Sequence, residues 1–141
     1  MPGGGMSGIT VAEDVFAAFQ ELKQDRKYSY IIFKIVRQKQ ITVAELGDKT
    51  KTWDDLVAKL SPTDGAYIIY DLSYEGKSGA NIDKPILITW NPDTANVKEK
   101  MLYSASKDAL KKKLGDGFGV EVQANDFGDL VLSEIQGKQI K

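Results

Sequence analysis

A chain of 141 residues, 42% of them hydrophobic, has the size of one domain with one core and too much apolar content for a disordered polymer. Its 19 basic and 20 acidic residues leave a net charge of −1, which excludes a global field drawing it onto nucleic acid or a membrane, so any electrostatic function must come from local patches. With neither cysteine nor histidine, disulfide frameworks, zinc–thiolate sites and Ser-His-Asp or Cys-His catalysis are all excluded.

The opening "MPGGG" reads as a leader over residues 1–5, with Met6 as the natural start and residues 6–141 as one domain. No secretory signal pattern follows, and no run approaches the ~20 apolar residues of a membrane span. Thr10 and Glu13 have capping-box spacing, and Val11, Val15, Ala18, Phe19 and Leu22 then recur at helical intervals. "YSYIIFKIV", residues 28–36, and "QITVAEL", residues 40–46, are β-branched and aromatic, and the short connection between them predicts a hairpin. Thr52 and Asp55 open a short helix through Leu56, Val57 and Leu60, stopped at Ser61-Pro62. "AYIIYDL", residues 66–72, is apolar almost throughout, as a central strand covered on both faces would be. "EGKSGANIDK", residues 75–84, reads as a polar loop and "PILITW", residues 85–90, as a fourth strand. A long helix follows Asn91-Pro92, then a short strand at residues 119–124 and a short closing helix within residues 126–136. The order αββαββαβα predicts a single α/β (α+β) domain, a mixed sheet of about five strands sandwiched between helices.

The long helix poses the functional question. On a wheel at about 100° per residue, Leu102, Ala105 and Ala109, with Tyr103, Leu110 and Leu114 adjacent, form a broad face for the sheet. Lys100, Ser104, Lys107, Asp108, Lys111 and Lys112 fill the opposite arc, yet Val97 and Met101 fall inside or at the edge of that polar arc. Two readings stand. Val97 and Met101 cover a sheet edge beside a solvated lysine face, as singly exposed apolar residues often do. Alternatively they form a partner-binding strip, with methionine as an adaptable contact and the lysines steering an acidic partner. The wheel alone does not decide.

The segment "WNPDTANVKEKMLYSASKDALKKKL" resembles the long actin-binding helix of the actin-depolymerising factor/cofilin family. The chain keeps that motif at Trp90, Pro92, Asp93, Ala95, Lys98, Lys100, Met101, Tyr103, Ser106, Lys107, Asp108 and Ala109. It departs at Asn96, where proline is usual, and at Ser104-Ala105, where alanine-serine is usual. "MSGITVAEDV", "YIIFKI", "AYIIYDLSYE" and "VEVQANDFGDL" are similar to further family segments, so the likeness covers residues 6–136. It implies the ADF-homology, gelsolin-like fold and a monomeric cytoplasmic, cytoskeletal protein. Such a protein binds monomeric and filamentous actin and promotes depolymerisation, severing and turnover.

Carried over by position, Ser7, Gly8, Lys98, Lys100, Met101 and Ser106 would meet the actin monomer. Val97 stays open between anchor and core. Lys77, Lys84, Glu134 and Lys138 would form a thin filament-side surface, in a tail interrupted by Gly137, with Ile82 or Ile135 as an apolar fallback. Ser7 matches a regulatory phosphorylation position. Lys111, Lys112 and Lys113 are candidates for acidic phosphoinositides, although a solvated face explains them as well. The alternative function is a relative that binds phosphoinositides or polyanions, or regulates filament branches, without depolymerising activity.

No cofactor, metal, nucleic acid or catalysis is expected. Asp54 and Asp55 are helix neighbours that point apart, and Asp25, Asp71, Glu75 and Asp93 form no recognisable motif. "GDGFG", residues 115–119, follows a helix instead of leading into one, which suits a helix end and turn better than a phosphate cradle.

Overall fold

The computed structural model describes residues 8–75, 79 and 81–140; the side chains of residues 73–75, 81–83 and 138–140 are not among the features described. The leader expected at residues 1–5, together with Ser7 and Lys77, lies outside the described residues, as do the side chains of Ile82 and Lys138. The chain runs β1 (Thr10–Val11), α1 (Glu13–Lys23), β2 (Tyr28–Val36), β3 (Gln40–Asp48), α2 (Trp53–Ala58), β4 (Ala66–Glu75), β5 (Asn81–Trp90), α3 (Val97–Leu114), β6 (Glu121–Ala124) and α4 (Leu132–Ile140). A single 3-10 turn, Phe127–Asp129, precedes α4. The six strands lie in the order β1-β3-β2-β4-β5-β6. The two outermost pairings are parallel and the inner ones antiparallel.

The apolar run of β4 follows from its central place. Tyr67 and Ile69 point into one core with Ile31, Phe33 and Leu87. Ala66, Ile68 and Leu72 point into the other with Tyr30, Ile32, Ile86, Ile88 and Trp90. Alternate side chains of one strand are therefore buried on opposite faces. Helices α1 and α3 cover the first face through Val15, Phe19, Leu22, Tyr103, Leu110 and Leu114. Helices α2 and α4 cover the second through Trp53, Leu56 and Ile135.

Local signals and tertiary pairing compete at several points. The capping box at Thr52 and Asp55 forms in both directions. The one expected at Thr10 and Glu13 does not: Ala12 is the N-cap and supplies no side-chain bond. Thr10 and Val11 instead form the sixth strand, because Thr10 N donates to Lys39 O and Ala12 N to Ile41 O, both at 2.9 Å. A sheet edge with open carbonyls satisfies those donors better than a local cap. The expected loop at residues 75–84 is strand at Glu75 and again from residue 81 onward, for β4 and β5 stay paired from Ala66 and Trp90 out to Glu75 and Asn81. Helix α4 continues through Gly137 to Ile140 instead of breaking there.

The β2–β3 turn has an uncommon backbone. Lys39 N closes onto Val36 O at 3.0 Å, and both central residues, Arg37 and Gln38, have positive φ, 56° and 57°. A type I′ turn requires that pair of angles, and Asn-Gly is the sequence that adopts it most readily.

Candidate functional site

Helix α3 is tied to the rest of the domain at each of its first two turns. Asn96 caps it, its side chain accepting from Glu99 N at 2.8 Å, which accounts for asparagine in place of the usual proline. Glu99 Oε2 accepts from Gly65 N at 2.7 Å. Asn91 Nδ2 donates to Lys100 O and to Ser104 Oγ, at 3.1 and 3.2 Å. Tyr67 Oη donates to Tyr103 O, and the two rings lie 5.1 Å apart. Tyr103 Oη accepts from Ile35 N at 3.0 Å, a donor beyond the last β2–β4 pair at Phe33 and Tyr67. Burial pushes the Tyr103 hydroxyl up to about 12, partly offset by that amide bond, and burial raises Tyr67 as well. A Cβ on Gly65 would sit 2.7 Å from the Tyr103 ring, so this close approach requires glycine.

The inner stripe of α3 is Tyr103, Ser106, Leu110 and Leu114. It is rotated from the expected face: Ala105 is exposed and Leu102 half-buried. A wheel weighs alanine like larger apolar groups, whereas packing brings the tyrosine and leucines inward and places a small residue at the closest approach. Ser106 is that residue, 1% exposed and turned into the domain.

Outside the anchored stripe, Val97 and Met101 stand 72% and 66% exposed, one turn apart. Both are free of the core, which resolves Val97 as a surface residue. Lys98 lies beside them, exposed. Lys100 is half-buried and reaches Asp93 at 3.5 Å. A groove beside Met101 is lined by Asn91, Lys100, Ser104, Ala105, Gln123 and Asn125. Across the helix, Lys98 faces Arg37 and Gln38 over a cleft floored by Tyr103. Sequence patterning named none of Asn91, Gln123 and Asn125, which only folding brings alongside Met101. Gly8 is exposed with φ of 72°, and Ile9 behind it is buried in the core. Strand β1 packs against α3, so the chain entry and the exposed strip share one end of the molecule.

The second basic group is less open. Lys107 and Lys111 both reach Glu121, at 3.5 and 2.5 Å. The Lys111 bond holds the Glu121 carboxyl below the usual glutamate range and raises the lysine. Lys112 is exposed and Lys113 half-buried. Of the filament-side candidates, Lys84 and Glu134 are exposed, whereas Ile135 is in the core, 1% exposed, and cannot supply an apolar contact there. Among the described residues there is no cluster of acidic side chains arranged to hold a metal and no helix long and apolar enough to cross a membrane.

Residues 8–139 match a family model described as cofilin/tropomyosin-type actin-binding protein. The chain is 40% identical over 133 residues to actin-depolymerizing factor 2 of Petunia hybrida, covering 94% of this chain and 92% of that protein. It is 41% identical over 132 residues to actin-depolymerizing factor 2 of Arabidopsis thaliana, covering 94% and 95%. Its fold superposes on the crystal structure of Streptomyces griseoflavus cofilin with a TM-score of 0.85 at 32% identity, covering 94% and 97% of the two chains.

Proposed function

The chain belongs to the cofilin/tropomyosin-type actin-binding protein family, and from that premise we propose that it binds actin monomers and filaments and promotes filament depolymerisation, severing and turnover. The observation that carries this reading is the Val97–Met101 strip, exposed on a helix held to the domain by five hydrogen bonds from Gly65, Asn91 (which makes two), Tyr67 and Ile35. A helix anchored so firmly presents its outer side chains ready for a partner. Methionine and valine would enter an apolar cleft on actin, and Lys98 and Lys100 would meet acidic groups at its rim.

The protein acts by binding, without catalysis, as a monomer in the cytoplasm and cytoskeleton. Gly8 and Ser7 extend the monomer-binding surface at the chain entry. Phosphorylation of Ser7 would repel an acidic actin surface. Lys84 and Glu134, with Lys77 and Lys138, make up the filament-side contact. A phosphoinositide role for Lys111, Lys112 and Lys113 is secondary, since Glu121 already engages Lys111. Co-sedimentation with purified actin, reporting both pelleted protein and the unpolymerised actin pool, tests the reading. Co-pelleting with a rising unpolymerised pool is expected; no interaction with monomer or filament would overturn it.

A further inference from the structure

We infer that the β2–β3 turn is a second arm of the actin-monomer surface, with Arg37 receiving a carboxylate of the same acidic segment that Lys98 meets; this rests on the actin-binding reading above. Three observations lead there. First, Arg37 and Gln38 hold left-handed backbone angles that glycine and asparagine adopt far more readily. Nothing in the core explains the choice, since both side chains are exposed. Retained strain at an exposed turn points to side chains kept for what they touch. Second, the turn is bonded to the binding helix: Tyr103 Oη accepts from Ile35 N at 3.0 Å, two residues before Arg37. It is bonded also to the chain entry, where Thr10 N donates to Lys39 O at 2.9 Å. Turn, entry strand and α3 are therefore tied to one another by hydrogen bonds, so a partner seated on one lies within reach of the others. Third, Arg37 and Lys98 line one cleft and neither is ion-paired among the described residues. Glu99, the acid in that cleft, accepts instead from Gly65 N. Two cations without an ion-pair partner, beside a single carboxylate whose Oε2 is already taken by a backbone amide, suit an incoming carboxylate, and a guanidinium can grip it through two parallel bonds.

The test exploits the strain. Arg37→Asn with Gln38→Gly installs the residues the turn prefers, so the variant should melt several degrees higher. It should nevertheless bind monomeric actin roughly threefold to tenfold more weakly, with a shallower salt dependence. Gln38→Gly alone should gain stability and lose less affinity than the double variant, while Arg37→Glu should weaken binding further than Arg37→Asn. The partner arm is Lys98→Ala with Lys100→Ala. If wild type binds, that lysine variant fails and the Asn-Gly turn matches wild type in affinity and salt slope, the inference is overturned and actin binding stands. If wild type itself fails to bind monomer, the functional reading falls and this inference with it.

Discussion

Met101→Ala offers the cleanest measure of the exposed strip. Met101 is 66% exposed in the free protein, so about two-thirds of its burial is still to be gained on docking. Full burial of a methionine side chain contributes about 1.5–3 kcal/mol, which leaves about 1–2 kcal/mol at stake. At about 1.4 kcal/mol per decade, that is a loss of roughly fivefold to thirtyfold in affinity for monomeric actin. The fold should not register the change. The side chain touches little of the core, alanine is an excellent helix residue, and exposed substitutions usually stay within about 0.5 kcal/mol. Fluorescence titration of labelled actin monomers, paired with thermal melts, measures both quantities. The loss should be nearly independent of salt because the contact is apolar. An unchanged Kd in a normally melting protein would refute the strip as an anchor and favour a surface that works by lysine charge alone.

Replacing both Lys98 and Lys100 with alanine should cost about 2–5 kcal/mol of binding where the charges are desolvated, with an unchanged melt; titration at two salt concentrations checks it. Ser7→Glu should bind monomer more weakly than Ser7→Ala, because it brings charge as well as bulk; equal affinities in protein starting at Met6 would remove charge gating there. Filament decoration should be weaker than monomer binding and fade at moderate salt, read from co-sedimentation, since the described filament-side candidates, Lys84 and Glu134, are exposed charges that salt screens. Stability should hold a plateau across neutral pH, where no histidine titrates. Tyr103 is raised in the folded state, so its contribution is complete below the unfolded tyrosine value near 10 and disappears as pH climbs towards about 12. Glu121 is lowered, so its contribution is present above the ordinary glutamate range and is lost as pH falls through the folded value. Thermal melts from acid to alkali test both limbs.

What the sequence made legible was whatever is decided locally or by burial on both sides. The run at residues 66–72 announced a central strand because every side chain of β4 there meets a core except Asp71, whose buried carboxylate pairs with Arg26 and Lys49. The box at Thr52 announced α2 because its bonds span three residues. Strand β1 was hidden because its partner lies 30 residues away, at Gln40 and Ile41. The outer reach of the β4–β5 ribbon was hidden because its residues are polar and their pairing depends on the facing strand. In the site, Met101 and the lysines were legible as anomalies on a wheel, and the family motif supplied their role. Ser106 lies inward because its small size suits the closest approach, a placement that neither the wheel nor the motif announced. Arg37 gave no periodic signal, since a turn has no period.

The sheet has two margins, and each is finished with a short piece. On one side β1 adds two residues to the outer strand; on the other β6 adds four, with Glu121 engaged by Lys107 and Lys111 from the helix above. A strand margin left bare is a template on which another copy can build, and charge, brevity and covering are the usual deterrents. Clipping the chain before Ala12 would uncover the Lys39 carbonyl that Thr10 N now occupies. The damage would appear as self-association at high concentration, together with stability lost because Ile9 leaves the core.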